Sequence, residues 1–516
     1  MIESPFLQRI ALWFCVAWCA IITTVHAQPS AGPLPVLWQT SVSSAGDYNY
    51  NPFIRPVSGG YLVANSFFGS GGFGVSDISV IRLNETGGVI WNRLFGGSSS
   101  EETSDCVMHA DGSSVVSGYS SSGVSGNKTN VNAPGAWMLK IDPYGNKLWE
   151  SFQSCYRFGS YVPHLAAAGD GSDFVSTTVP GADFTAFGPW GEIRGRFYDM
   201  MISKQGADSS QEWSVTYHIG FTNRVQSMRG THDGGVVVAG NTPTYEGLWR
   251  LDYLLMRLDP QGQYVWGKTY GGTSNESLVV VRETPDGGFL LAGDSASPPG
   301  NSKTSPLYGG LDCWIVKTDA QGVKQWDRSY GGSGQDQVGD LVVLSDGGFV
   351  VGATSDSTNG NKRAPLYGVT NAWIFRCDAQ GNVLWEQTLG STGSERLTSL
   401  SQTADGGFIA AMNTTGGVGG NKTEPLLGLI DSWVVKLGPE PGWLAWERCC
   451  EDNGLTQWRL LLQGESNVNY RVDISTDLQN WAPFSTNQAT GSSVELLHSP
   501  SGMTAPHAFY RALALP

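Results

Sequence analysis

The fold class this sequence predicts is an all-β, seven-bladed propeller of four-stranded antiparallel blades, followed by a small β-sandwich-like module. Three observations predict it. A tryptophan recurs seven times, a glycine-rich turn recurs seven times between those tryptophans, and short β-branched or aromatic segments flank both. The tryptophans are Trp38, Trp91, Trp149, Trp213, Trp266, Trp326 and Trp385, at spacings of 53, 58, 64, 53, 60 and 59 residues.

Most of these tryptophans close a segment of the form K-x-D-x-x-G-x-x-x-W, as in Lys140…Asp142…Gly145…Trp149 and Lys317…Asp319…Gly322…Trp326. The second turn is Asp-Gly-Gly at Asp233, Asp286, Asp346 and Asp405, with variants starting at Ser58, Asp111 and Asp170. Asp bonds to its own turn backbone and Gly supplies positive φ, so both motifs read as tight turns between strands. Around the sixth Asp-Gly-Gly turn the strands fall at residues 341–344, 349–353, 372–376 and 383–388. No amphipathic helix of useful length is visible.

Four-stranded units cannot each bury both faces alone, and radial closure buries the faces between neighbours. The period exceeds the roughly 40–50 residues usual for a blade, and the excess lies in loops. A parallel β-helix has a far shorter repeat, and one unit has too few strands for a two-sheet sandwich. The seventh unit ends at residues 433–437 without a clean Trp strand, while the first Trp strand, 36–42, has no unit of its own. The N-terminal strand is therefore expected to complete the last blade, giving a propeller over 36–438. The competing closure uses Trp443 or Trp446.

Glycine is heavily used, at 68 of 516 residues, and charged residues make up only 15%. That balance suits many short strands joined by turns. The formal net charge of −15 argues against a nucleic-acid partner. Residues 1–27 read as an export signal. Arg9 precedes an apolar run over 10–25, and Val25-His26-Ala27 offers a cleavage site before Gln28. No membrane span is expected after cleavage. The expected location is thus secreted or cell-surface. Six cysteines then remain, scattered without metal-like pairs. Residues 439–454, opening on Gly-Pro-Glu-Pro-Gly, read as a linker, and 455–516 as the small C-terminal module.

Three recurrent polar features invite chemistry. A basic residue stands on the third strand of every unit: Arg82, Lys140, Lys204, Arg257, Lys317, Arg376 and Lys436. Five residues earlier stands Asp77, Gly135, Asp199, Asp252, Asp312, Asn371 or Asp431. Sevenfold recurrence argues for structure, a ring of ion pairs or caps between blades. The second feature is an acid after the Gly-Gly loop, Glu101, Glu276, Asp336 and Glu395. Placed together at a channel mouth, these carboxylates would suit Ca²⁺, the one cofactor the sequence suggests. Singly, each would accept hydrogen bonds from a neighbouring loop. The third is Gly-Asn-Lys-Thr at 126–129 and 420–423, with variants at 300–304 and 360–363, read as a solvated turn, with formal glycosylation sequons at Asn84, Asn127, Asn275, Asn413 and Asn421.

Both tight turns fall on one end of the ring, so the longer loops of the other end are the candidate working face. Unit three adds a long loop, 180–196, with Phe184, Phe187 and Trp190, and the next unit adds Tyr245 and Trp249. These aromatics are candidates for stacking on sugar rings or a partner protein, against packing within their own insertion. No nucleophile elbow, metal-spaced histidines or paired catalytic carboxylates can be nominated.

The combined pattern, W-x-x-x-[FY]-G-G, then D-G-G-F, then D-x-W-x-x-K-x-D-x-x-G-x-x-x-W, resembles the propeller-type repeats of large exported proteins of environmental bacteria, over about 36–438. The Asp319–Trp326 segment is also similar to the tryptophan-docking motif of quinoprotein propellers. Those have eight blades and a quinone and Ca²⁺ site that no residue here maps onto. The C-terminal Y-x-[IV]-x-x-S-x-D-L-x-x-W…F-Y-R, at Tyr470 to Trp481 and Phe509 to Arg511, resembles a small β module of exported Verrucomicrobia and Planctomycetes proteins, which implies attachment or sorting. The functional expectation is an exported, monomeric, non-catalytic binding or scaffold propeller that takes an extracellular glycan or protein on its long-loop face. The alternative is an enzyme, a polysaccharide lyase or hydrolase or a quinone-dependent oxidoreductase, working at the channel mouth.

Overall fold

The computed structural model describes residues 33–42, 48–130, 134–155, 163–188, 191–217, 224–243, 250–440, 443–452, 455–463, 469–475, 482–488, 493–498 and 509–515. The expected export signal lies outside them. Every regular element described is a β-strand, and no helix among the described residues is long and apolar enough to cross a membrane. The chain divides into two compact units, one spanning Ser30–Pro439 and the other containing Glu440–Pro516.

The first unit is a propeller of seven four-stranded antiparallel sheets. Blades 1 to 6 occupy residues 48–95, 101–153, 164–217, 224–270, 276–330 and 336–389. Each runs in sequence order from the first strand to the fourth. Blade 7 takes Glu395–Gln402, Phe408–Thr414 and Asp431–Leu437, and its fourth strand is Val36–Val42 from the N-terminus, paired antiparallel to the third. The expected N-terminal closure is what the structure has, and Trp443 and Trp446 belong instead to a strand of the second unit. The first strands of successive blades touch all the way round, blade 7 meeting blade 1, so these strands line a central channel.

The energetic reason for closure is visible in the core. There is an apolar cluster at every one of the seven junctions, each built from two neighbouring blades. At the junction of blades 6 and 7, for example, Ile374 and Trp385 pack with Leu397, Phe408 and Trp433. No blade owns its core. Burying a large apolar side chain contributes about 1.5–3 kcal/mol, and here that gain requires a neighbour.

The fourth-strand tryptophans tie the junctions on the turn face. Trp38, Trp91 and Trp213 donate their indole N–H to Glu85, Pro143 and Pro260 carbonyls in the Asp-x-x-Gly turn (or its Asn84 variant) of the following blade. Trp149 donates to Ala207 in the equivalent turn of blade 3. The turn glycine is required by contact as well as conformation. Gly262 has φ +75°, and a Cβ there would stand 2.7 Å from the Trp213 ring. Ring packing adds to this, with Trp266 on Phe289, Trp326 on Phe349 and Trp385 on Phe408 of the next blade.

The first strand of blade 6 begins at Asp336, five residues before the sequence-based start at 341. A register shift between Val338 and Asp340 interrupts the alternation there, so the polar Asp-Gln-Val-Gly-Asp stretch read as loop. Within the expected long loop 180–196, residues 180–188 and 191–196 instead continue the second and third strands of blade 3, with Gly188 opposite Gly191. In the second unit, Trp443–Asp452, Leu455–Gln463 and Ser493–His498 form one three-stranded sheet, and Ala482–Gln488, Asn469–Ser475 and Phe509–Leu515 another. Residues 443–452, read as linker from the preceding Pro-Gly run, are thus a paired strand.

Candidate functional site

Strand direction places the Asp-Gly-Gly and Asp-x-x-Gly turns on one face and the loops joining second to third strands, and blade to blade, on the other. On the turn face the recurrent third-strand cation pairs within its own blade. Lys204 reaches Asp170 at 2.7 Å, Lys317 reaches Asp286 at 2.9 Å and Lys436 reaches Asp405 at 2.9 Å. Arg257 and Arg376 pair with Asp233 and Asp346 in the same way. In blade 1 the turn has no acid, and Arg82 donates to the Ser58 carbonyl. The expected partner, the acid five residues earlier, sits at the opposite end of the strand. The structural role therefore stands, but these are mostly clamps of a blade's own turn, not links between blades.

The loop face holds the four sequence-nominated acids. Glu101, Glu276, Asp336 and Glu395 are all fully buried, one at each of four separate junctions. Each folds back on its own loop. Asp336 accepts from Gly332 N at 2.8 Å, Ser355 Oγ at 2.5 Å and Ser357 Oγ at 2.7 Å. Glu276 accepts from Gly272 N at 3.0 Å and Ser295 Oγ at 2.9 Å, and Glu101 from Gly97 N and Ser120 Oγ, both at 2.8 Å. Glu395 accepts from Ser391 N at 2.9 Å and Thr414 Oγ1 at 2.8 Å. No group of three or more His, Cys, Asp or Glu among the described residues is arranged to hold a metal ion.

The acid at the start of the third strand meets these carboxylates. Asp312 and Asp252 are fully or largely buried, and burial together with the neighbouring Asp336 or Glu276 carboxylate pushes each up to about 6. Asp77 is raised by burial and by Glu101 in the same way. At the next junction Asn371 takes this place and donates its amide to Glu395 at 2.7 Å. The first glycine of the Gly-Gly loop makes room, since a Cβ on Gly331 would lie 2.6 Å from Asp336 and 2.8 Å from Asp312.

The Gly-Asn-Lys-Thr loops are locked rather than solvated. The Asn127 side chain accepts from Gly96 N at 2.8 Å and donates to Leu94 O at 2.7 Å, and Asn421 does the same with Gly390 and Thr388. The lysines are interior. Lys128, Lys303 and Lys422 are 1% exposed, and Lys303, Lys362 and Lys422 lie 5.7–6.0 Å over the rings of Trp314, Trp373 and Trp433. Carbonyls complete each cage, such as Ser357 O and Ala364 O around Lys362 at 2.8 and 2.7 Å. A conspicuously charged motif in the sequence is therefore a buried loop fastener.

What the locked loops present is apolar. Phe73, Tyr308, Tyr367 and Leu427 occupy the same loop position in blades 1, 5, 6 and 7, which are consecutive around the closed ring. Val75, Val369 and Leu429 stand two residues on, and all seven are 40–67% exposed. Sequence reasoning missed this arc, although Pro-Leu-Tyr-Gly recurs at 306–309 and 365–368. Of the nominated aromatics, Phe184 and Phe187 fall on a strand opposite Gly195 and Glu192. Their side chains, with Trp190, Tyr245 and Trp249, lie outside the described residues.

No known family profile matches the chain. A 259-residue stretch is 26% identical to the regulatory protein FlaEY of Caulobacter vibrioides, covering 47% of this chain and 26% of that protein, so the match spans about a quarter of the relative. Among solved structures, YCF48 bound to a D1 peptide aligns at 10% identity and a TM-score of 0.39, over 82% of this chain and 98% of that one. The Neurospora crassa Pan2 WD40 domain aligns at 10% identity and 0.34, over 65% and 89%. Trypanosoma rangeli sialidase aligns at 9% and 0.35, over 92% and 87%.

Proposed function

We propose that this protein is an exported, non-catalytic binding propeller that docks a partner protein on its loop face. One observation carries the reading. On that face the recurrent acids and lysines are buried and used up in holding loops, while the exposed positions repeated over four consecutive blades are aliphatic or aromatic. Exposed apolar positions on prepaid, rigid loops suit protein contact better than hydrolysis, which needs free carboxylates in reach of a substrate. A glycan ligand is the competing outcome.

The test sets wild-type protein beside the Tyr367→Ser/Leu427→Ser variant. Both are immobilised and challenged with protein and polysaccharide fractions of the producing cell. Retention of a defined protein by the wild type alone, with no new reducing ends and no dye reduction on quinone addition, is expected. Polysaccharide turnover or quinone-dependent dye reduction overturns the reading, as does equal retention by the variant.

A further inference from the structure

The loop face leaves the central channel unexplained. At one register position, opposite Leu62, Val237 and Leu290 of the second strands, blades 1, 4 and 5 carry Arg55, Arg229 and Arg282. The other four blades have Val107, Ala166, Val342 and Ser401 there. The three guanidiniums divide the channel. They line a cavity of about 400 Å³ on the loop-face side and a second of about 400 Å³ toward the turn face.

Nearer the loop face, a neighbouring position holds Asp105, Ser227, Asp340 and Ser399. Each accepts a backbone N–H from the first strand of the next blade: Leu165, Val281, Leu400 and Ile54 respectively, at 3.0–3.2 Å. The two aspartates thus have structural work, and they also compensate two of the arginines. Arg282 reaches Asp340 at 2.6 Å, and Arg55 reaches Asp105 at 3.8 Å. His164 lies 3.8 Å from the other Asp105 oxygen. Burial raises Asp105, but the His164 hydrogen bond and the charges of His164, Arg55 and Arg229 outweigh it and hold it down at about 2.

Arg229 is different. Its guanidinium donates to the Met228 carbonyl at 2.9 Å, and no carboxylate pairs with it among the described residues. Arg396 adds a fourth guanidinium at the cavity mouth, beside exposed Ser277 and Gln337, where it donates to Tyr50 and Asn51. Against these four stand Asp105, Asp340 and Asp294, and burial pushes Asp294 up to about 7, so that it is largely neutral below that pH. A chain of net charge −15 has therefore gathered uncompensated positive charge in one recess. Low-dielectric walls focus such a field on whatever enters.

We infer that the channel is a ligand site in which Arg229, flanked by Arg55 and Arg282, grips the carboxylate of a small organic acid admitted from the loop face. The planar guanidinium fork matches a carboxylate with two parallel hydrogen bonds. With Arg55 and Arg282 already paired, and Arg396 bonded to Tyr50 and Asn51 at the mouth, the one free fork inside the channel suits a monocarboxylate better than a phosphate dianion. Phe53, Leu278, Val280, Val338 and Leu397 supply apolar wall for the carbon skeleton. The volume lies within the roughly 300–1,000 Å³ of ordinary small-molecule sites.

The test is calorimetric titration of the full chain with sodium glucuronate, sodium lactate, sodium phosphate and glucose in low salt. Binding of at least one of the two organic acids is expected, with phosphate weaker and glucose silent. Arg229→Gln should weaken the organic acid at least tenfold, and Arg229→Lys several-fold because it keeps charge but loses the fork. Arg93→Gln, exposed on the outer strand of blade 1, should change nothing. As a measure that needs no variant, the organic acid should raise the wild-type Tm and glucose should not. The inference is overturned by silence from both organic acids, by phosphate binding more tightly than either, or by undiminished binding in a folded Arg229→Gln protein.

Discussion

At the junction of blades 5 and 6, Asp312 faces Asp336. At the junction of blades 6 and 7, Asn371 faces Glu395. The surroundings are otherwise the same. Asp312 accepts from Tyr308 N at 2.6 Å and Asn371 from Tyr367 N at 2.6 Å, and in both places the second acid is gripped by its own loop. The amide can donate to the carboxylate and does so at 2.7 Å. An ionised Asp312 could not, and two buried like charges repel. The comparison teaches that the aspartate version is relieved by protonation as pH falls through about 6, whereas asparagine carries its amide hydrogens at every pH. Asp252 with Glu276 and Asp77 with Glu101 repeat the aspartate version.

The comparison is broken most severely by removing the common acceptor. Glu395→Leu leaves the Asn371 amide, Ser391 N and the Thr414 hydroxyl buried without it, and should cost about 3 kcal/mol or more in denaturant unfolding. Next comes Asp312→Asn, which converts one junction into the other. Because the folded-state pKa of Asp312 is raised, to about 6 from 3.8, its contribution is full below about pH 4 and is lost as pH rises through 6. The variant should match wild type at pH 4 and exceed it by about 2 kcal/mol at pH 8. A stability difference that does not grow between those pH values would contradict the raised Asp312 pKa.

The reverse exchange, Asn371→Asp, should create the same slope where none was, losing about 2 kcal/mol between pH 4 and 8. The smallest effect is expected on the turn face. Asp286→Ala removes a pair in which the carboxylate is 56% exposed, and should cost about 0.5–1 kcal/mol, with little change between pH 5 and 8.

Much of this architecture was legible because its signals are local. Asp-Gly-Gly and Asp-x-x-Gly turns act over a few residues, so counting them counted the blades, and the unpaired Trp38 strand announced how the ring closes. The site was less legible. Lys303 and Asn127 looked like solvated loop residues, because nothing nearby in sequence reveals the Trp314 ring or the Leu94 carbonyl that receives them. The acids were recognisable as a recurrent set, but their burial at separate junctions was not.

By itself, the sequence determined the repeat: which segments are strands, where they turn, that four make a unit, and that seven units leave one strand owed at the end. Local backbone preference and side-chain alternation suffice for that. Only the tertiary structure decided which charges meet. Asp312 finds Asp336 across a blade boundary, and Arg55, Arg229 and Arg282 converge from blades 1, 4 and 5, because closing the ring puts residues more than a hundred positions apart into one channel. Electrostatic energy depends on distance in space and on exclusion of water, and neither exists until the blades have packed.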